Sequence, residues 1–417
     1  MINAHQILKE LNFERLTGSA GEKKAITVIT KYLKQLKVKH HLEPFAVNSF
    51  ETGTAFIKAK NQTFKAHPFG LSHDHKISGE MVFLEDADIL MRNKGAYKGK
   101  ILLTYTFSRK IAEHFKIAGI KACIAIGSPL RQAPSWSYRQ KMYAQGYVPS
   151  VTVSYEDGLK LSALSGSRID LVIKQSSGKR TGHNIVIDIK GRGYDDNLTL
   201  AVGHYDSVAR SPGSTDNAGG IVTLLKAAEH FAKNRPQRDL RIVMFSGEEL
   251  GLRGSFSYAE KHQKEVKERL GLVVNVDVAG DELGKNELIV LGTPQLQGYA
   301  DGVTKETGHY FRAELDIYSS DCMPFAVHEV PAVNICRFGG QASDMIHTPG
   351  DDVKHTSPRG LEPTIAAAVN LLDRVLNAKI YPVNREIDKT LKDKIEKYLW
   401  GSLMEPPKLE WKPEYKK

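Results

Sequence analysis

Four short apolar runs constrain the fold of this chain more than any other feature of its sequence. They are rich in β-branched residues, apolar nearly throughout, and cover residues 198–204, 239–247, 270–280 and 330–338. Such runs are typical of parallel strands that are covered on both faces. Segments with a helical spacing of apolar residues lie at 18–37, 217–233 and 361–377. We therefore predict an α/β fold with a doubly wound, mostly parallel sheet and helices on both faces.

Residues 46–178 have a different pattern, which predicts a small β-rich α/β domain inserted into the main fold. Strand-like and helical segments alternate there, at 99–106, 110–120, 121–127 and 149–164. The alternative is that these strands extend the main sheet. With an insertion, the main domain comprises residues 1–45 and 179–383. Residues 384–417 are then a charged tail with a proline-rich end.

Composition and charge exclude several classes of protein. No apolar run approaches the roughly 18 residues that a membrane span needs, so we expect no membrane partner. The net charge is +10, but basic residues alternate with acidic ones along the chain. A diffuse basic surface of this kind argues against a nucleic-acid partner. The oligomeric state is left open.

The cysteines and the first residues bear on the compartment. The three cysteines are widely scattered and contain no CxxC pair, which argues against a disulfide framework and against a cysteine zinc cage. The first residues, MINAHQILKELNFERLTG, lack the apolar stretch of a secretory signal. Both observations lead us to expect a cytoplasmic protein.

Polar side chains collect where the predicted strands end. The first three strands and the helix start at 216 bring together His204 and Asp206, Glu248 and Glu249, Asp277, and Asp216. Ligands of open α/β sheets bind at this edge. Carboxylates that lie close together raise one another's pKa and destabilise the fold unless a cation lies between them. The arrangement therefore predicts a metal site.

A second histidine completes this inventory. His347 lies in the segment DMIHTPGDD, shortly after the fourth strand. Two imidazoles and three carboxylates suit two zinc ions, although cobalt or manganese could replace zinc. The predicted ligands are His204, Asp216, Glu249, Asp277 and His347, with Asp216 as the bridge. A single histidine or aspartate at a strand end more often caps a helix or forms a hydrogen bond within a loop. The occurrence of these residues at four separate strand ends favours a metal site.

Two further residues have predicted roles beside the metals. Asp206 lies two residues after His204, so its side chain points to the same side of an extended segment and can accept the second imidazole N–H. Glu248 precedes a ligand but points elsewhere, which suits a general base toward a water between the metals. The alternative is that Glu248 and Glu249 are acidic residues at the N-terminus of a helix, where the helix dipole favours negative charge.

These motifs together resemble the M28 family of zinc peptidases. The resemblance covers roughly residues 180–380 and depends on the segments GHYDSV, PGSTDNAGG, FSGEELGLRGS, NVDVAG and HTPGDD. The segments YKGKILL and AGIKACIAI are similar to the protease-associated domain that some members carry at this place. The resemblance implies the zinc exopeptidase fold, the same five ligands, Asp216 as the bridge, Glu248 as the base and a cis bond between Asp216 and Asn217. It also implies that Asp321, in SSDCMPF, lines the substrate site.

The chain departs from the family pattern at two positions that are not metal ligands. Ile346 stands where many members have an aromatic residue that steadies the tetrahedral intermediate, and Cys322 follows Asp321 where histidine is common. The implied activity is that of a di-zinc aminopeptidase acting on peptides with a free N-terminus.

Two other activities are kept as alternatives. The first is a carboxypeptidase or amidohydrolase of the related M20 type, against which STDNAGG and the short segment between Asp277 and His347 argue. The second is a non-catalytic scaffold or receptor with the same fold, against which the complete set of ligands argues.

Overall fold

The computed structural model describes residues 1–93, 95–105, 107 and 109–399. Within them the chain forms an eight-stranded sheet flanked by helices and a separate closed barrel of seven strands. The strands are β1 (His40–Phe50), β2 (Thr54–Ala59), β3 (Gln62–Pro68), β4 (His75–Leu84), β5 (Ile101–Thr104), β6 (Ala122–Ile126), β7 (Ser150–Val153), β8 (Arg168–Lys174), β9 (Ser177–Ile189), β10 (Leu198–His204), β11 (Asp239–Phe245), β12 (Leu270–Val276), β13 (Lys285–Leu291), β14 (Arg312–Leu315) and β15 (Ala332–Phe338). The helices are α1 (Ala4–Glu10), α2 (Ala20–Gln35), α3 (Arg109–Ile117), α4 (Gln140–Gln145), α5 (Tyr155–Ser162), α6 (Gly219–Lys233), α7 (Arg253–Lys261), α8 (Gln263–Glu268), α9 (Pro294–Lys305), α10 (Met323–Ala326), α11 (Gln341–Asp344), α12 (Pro358–Asn377) and α13 (Lys389–Lys397).

The eight-stranded sheet has the order β1-β9-β11-β10-β12-β15-β13-β14. Its four central strands, β11, β10, β12 and β15, are parallel, while β9 and β13 pair antiparallel with their inner neighbours. Residues of β10 alternate between two buried clusters. Ala201 packs with residues of α6 and α12, whereas Leu200 and Val202 pack with residues of α7, α10 and α13. Helices therefore cover both faces, and the predicted fold class is confirmed.

The inserted strands form a domain of their own. They close into a barrel in the order β2-β3-β7-β6-β5-β4-β8, with a separate core that includes Ile57, Phe64 and Leu171. The prediction of an inserted domain is confirmed, and the alternative that these strands extend the main sheet is wrong. The barrel strands lie between Thr54 and Lys174, and the domain limits 46 and 178 stay predictions.

Strands β1 and β9 lead the chain into and out of the barrel. They pair antiparallel over their length, from His40 opposite Ile187 to Phe50 opposite Ser177. Both strands also belong to the eight-stranded sheet. The barrel is therefore held against the main domain by a continuous two-stranded ladder, in place of a single flexible linker.

The C-terminal segment packs on the main domain as far as it is described. Leu391, Ile395 and Leu399 are buried in the cluster formed with α7 and α10, while charged residues of α13 face outward. The rest of the predicted tail, residues 400–417, lies outside the described residues. Among the residues that are described, none of the helices combines the length and the apolar character that crossing a bilayer requires.

Candidate metal centre

The parallel strands bring the predicted ligands to one edge of the sheet. β10 ends at His204, β12 is followed directly by Asp277, and β11 is followed by the turn that contains Glu248 and Glu249. These three strands are adjacent and point in the same direction, so their carboxyl ends coincide. The loop that follows β15 and α11 carries His347 to the same edge.

Two groups of ligand atoms meet there, and Asp216 belongs to both. His204 Nε2 lies 3.1 Å from Asp216 Oδ1 and 3.3 Å from Asp277 Oδ1. His347 Nε2 lies 3.1 Å from Asp216 Oδ2 and 3.2 Å from Glu249 Oε2. Within each group one atom per residue lies within 4.8 Å of the others. The structure therefore brings all five predicted ligands together, with one oxygen of Asp216 facing each group.

The charges of the site fit a divalent metal in each group. Burial alone would lower the pKa of His204, but the carboxylates of Asp277, Asp206 and Asp216 outweigh it and hold that pKa well above its usual value. Glu249 Oε1 is buried without a hydrogen-bond partner among the described residues. Carboxylates and imidazole nitrogens that attract a proton this strongly also attract Zn²⁺, which takes such ligands in tetrahedral sites.

The Asp216 loop is shaped by its neighbour and by two glycines. The Asp216–Asn217 peptide bond is cis, as the resemblance implied. The Asn217 amide donates to Val276 O at 2.8 Å and accepts from Gly220 N at 3.0 Å, which ties the loop to the end of β12. A Cβ at Gly219 would lie 1.9 Å from the carbonyl oxygen of Ala279, so only glycine allows this close approach.

Asp206 supports both the first histidine and the Glu248–Glu249 turn. His204 Nδ1 lies 3.2 Å from the backbone oxygen of Asp206 and 3.5 Å from its carboxylate. The carboxylate accepts from the backbone N–H groups of Glu248 and Glu249 at 3.3 and 3.4 Å, and from Thr17 Oγ1 at 3.0 Å. Asp206 is fully buried. It therefore links the orientation of an imidazole to that of the proposed base.

Glu248 lies on the wall of a cavity of about 260 Å³, which His204, Asp216, Asp277 and His347 also line. Burial, together with the nearby carboxylate of Glu249, raises the pKa of Glu248 well above its usual value. Glu248 lines the same cavity as the two ligand groups but belongs to neither of them. Its carboxylate is therefore placed to exchange protons in the cavity.

Asp321 is not among the residues that line this cavity. It is fully buried, and burial raises its pKa to about 7. The cavity wall at this point is formed by Tyr318 and Ser319. The role of Asp321 in lining the substrate site stays a prediction.

Two residues that the sequence analysis did not single out position the Asp216 loop. Asp351 is fully buried and accepts from Thr215 N at 2.8 Å, Thr215 Oγ1 at 2.9 Å and Asp216 N at 3.1 Å. Arg15 is also fully buried, and it donates to the carbonyl oxygens of Tyr205 at 2.6 Å and Gly213 at 2.8 Å. Asp351 lies inside HTPGDD, so its proximity to His347 in sequence was a signal. Arg15 gave no such signal, because its bonds to the carbonyl oxygens of Tyr205 and Gly213 join segments that are remote in sequence.

We expect Asp351→Asn to lower the free energy of unfolding by about 1–3 kcal/mol. An amide offers one acceptor oxygen and turns its NH₂ toward one of the three donors, which leaves a buried donor unsatisfied. Because the Asp216 loop then loosens, metal affinity should fall about 10- to 100-fold. Denaturant unfolding and metal titration measure the two effects. Asp352→Asn is the control, since Asp352 caps a short turn at Lys354 N. Equal effects in both variants would contradict the role of Asp351.

The inserted barrel domain contacts the metal centre directly. Ser135 N donates a hydrogen bond to the carbonyl oxygen of His347 at 2.8 Å, and the Ser135 hydroxyl donates one to the carbonyl oxygen of Ala209. The backbone of His347 has a φ of 65°, in the left-handed region that residues other than glycine rarely adopt. The barrel therefore helps to hold the backbone of a predicted ligand in an uncommon conformation.

The chain is similar to known peptidases in the region that carries the site. A model of peptidase family M28 matches residues 184–372, a range that contains all five predicted ligands. This part of the chain belongs to peptidase family M28. Aminopeptidase YwaD of Bacillus subtilis is 25% identical to this chain over 376 residues, which cover 85% of this chain and 80% of that protein. Human carboxypeptidase Q is 28% identical over 275 residues, which cover 60% of this chain and 58% of the relative.

The fold agrees with that of a solved structure. The structure of BSAP, a zinc aminopeptidase from Bacillus subtilis, superposes on this chain with a TM-score of 0.76 and 21% sequence identity. The match covers 92% of this chain and 98% of BSAP, so it includes the barrel as well as the main domain. The chain spans less than two thirds of the length of the carboxypeptidase Q relatives that it matches.

Proposed function

We propose that this M28 peptidase is a di-zinc aminopeptidase that hydrolyses the N-terminal residue from peptides. The observation that carries the proposal is the pair of ligand groups that share Asp216, one with His204 and Asp277 and the other with Glu249 and His347. These two groups, which share one carboxylate, would hold two divalent metal ions.

The acidic cavity favours a substrate with a free amine. Asp216, Glu248, Glu249 and Asp277 all lie on its wall. Carboxylate oxygens can accept hydrogen bonds from a substrate ammonium group even when bound metal ions balance their charge, whereas an N-blocked peptide lacks that group. The relatives support hydrolysis at a chain end, because they include proteins named aminopeptidase and carboxypeptidase.

The residues of the chain suggest how the reaction proceeds. When bound, the two metal ions supply Lewis acidity toward the scissile carbonyl and lower the pKa of a water in the cavity. Glu248 accepts a proton from that attacking water at a carboxylate oxygen, and later donates it to the nitrogen of the leaving amine. Asp206 holds His204 and the backbone of Glu248 in place. The proton therefore travels from water to leaving group through one side chain.

The proposed function is tested by metal analysis and by a matched set of peptides. The purified protein should hold two zinc ions per chain and should cleave leucine 4-nitroanilide and Leu-Gly-Gly. It should not cleave the N-acetylated forms of either compound. Release of C-terminal residues from N-acetylated peptides would instead favour a carboxypeptidase. A metal-loaded protein that cleaves none of them would favour a non-catalytic role.

A further inference from the structure

An arginine from the inserted barrel domain reaches the metal-centre cavity. Arg139 lies between β6 and β7, at the start of α4, and lines the cavity together with Glu248, Glu249 and Tyr398. Among the described residues on that wall, it is the one side chain with a permanent positive charge. Neither the family motifs nor the strand-end pattern pointed to this residue.

One N–H donor of the Arg139 side chain has no hydrogen-bond partner among the described residues. This donor is the Nε–H group, and it is buried. Burial lowers the pKa of Arg139, while Tyr398, Glu248 and Glu249 oppose that effect from nearby. A buried N–H donor without a partner costs free energy, so a ligand that supplies an acceptor atom is favoured.

The backbone on both sides of Arg139 is anchored. The side chain of Gln140 accepts from Asn48 N at 3.1 Å and donates to Asn48 O at 2.9 Å, which joins it to strand β1 of the main sheet. Tyr138 is buried, and its N–H donates to the carbonyl oxygen of Gly70 at 3.0 Å. Arg139 is thus presented to the cavity by fixed neighbours, which lowers the entropy lost when a ligand binds it.

The charges on the cavity wall indicate what this arginine binds. If two divalent ions are bound, as in the proposed function, they balance the four carboxylates of Asp216, Glu248, Glu249 and Asp277. Arg139 then remains as an uncompensated positive charge. A guanidinium matches a carboxylate with two parallel hydrogen bonds. A cavity of about 260 Å³ is small, which suits a short peptide better than an extended one.

We propose that Arg139 binds the C-terminal carboxylate of the substrate, so that this peptidase acts preferentially on dipeptides with both ends free. The inference rests on the proposed function for its chemistry. The barrel then contributes a specificity residue, and the distance from the metals to Arg139 limits the length of the peptide. A dipeptide whose C-terminus is an amide loses the charged contact and binds more weakly.

The test compares a free acid with its amide in matched variants of the zinc-loaded protein. In the wild type, we expect KM for Leu-Gly to be about tenfold or more lower than KM for Leu-Gly amide. Arg139→Gln should abolish this preference, because KM for Leu-Gly should rise to the value for Leu-Gly amide in the same variant. Arg168→Gln removes an exposed arginine of the barrel and should behave as the wild type. Arg139→Met is a second variant if the first does not fold.

A binding measurement separates this inference from the proposed function. Phosphinate analogues of Leu-Gly and of Leu-Gly amide are not hydrolysed, and calorimetry gives their Kd values for each zinc-loaded variant. Tighter binding of the acid form that is lost in Arg139→Gln supports the inference even if no peptide is cleaved. Equal binding of acid and amide by the wild type, or an equal loss for both in Arg139→Gln, would overturn it.

Discussion

Glu248→Gln is expected to keep both metal ions and to lose about 10²–10⁴-fold in kcat. Glutamine has nearly the same shape as glutamate, but it cannot accept a proton from water at physiological pH. Glu248 belongs to neither group of metal ligands, so the metal content should not change. Its backbone bond to Asp206 does not involve the side chain and should also remain. Steady-state kinetics and a metal count on the same sample measure both properties.

A control for this prediction lies on helix α7. Glu260 is exposed, and Glu260→Gln removes one carboxylate without approaching the cavity. This variant should have the kcat of the wild type. If Glu248→Gln were as active as the control, Glu248 could not be the base. If it lost activity together with its metals, Glu248 would have to be regarded as a ligand.

Asp216→Ala is expected to have the largest effect on metal binding. Each oxygen of Asp216 faces a different histidine, so its removal takes one ligand from both groups at once. Because loss of a residue that only supports a ligand already costs about 10- to 100-fold in metal affinity, loss of a shared ligand should exceed about 100-fold. The isolated protein should hold fewer than two metal ions, and its activity should fall in parallel.

The control for the bridging role removes an aspartate elsewhere. Asp196 is exposed in the turn before β10, and Asp196→Ala should retain the full metal content and activity. Competition with a chelator of known affinity gives the metal affinities of both variants. A fully loaded and active Asp216→Ala variant would show that the two groups do not depend on a shared carboxylate.

The sequence was most informative where chemistry and secondary structure coincide. His204, Glu249 and Asp277 could be placed together because each follows an apolar run typical of a parallel strand, and parallel strands end at the same edge. Asp216 and His347 were added by their positions at a helix start and after the last such strand. The structure brings all five to one site.

The residues that the sequence did not reveal reach the site from outside this pattern. Arg139 belongs to the barrel, and Tyr398 follows helix α13, whose buried face against α7 and α10 is what brings that tyrosine to the cavity wall. Asp351 and Arg15 act on the backbone of the Asp216 and Tyr205 segments through hydrogen bonds. Such contacts depend on how separate elements pack, and one strand or helix alone carries no trace of them.

By itself, the sequence determined the α/β class, the presence of an inserted domain and the metal-binding chemistry, because periodicity and ligand type are local properties of the chain. Only the tertiary structure decided that the insertion closes into a barrel and that a barrel arginine enters the cavity. These features depend on distances between atoms that are remote in sequence, and packing of the whole fold sets those distances.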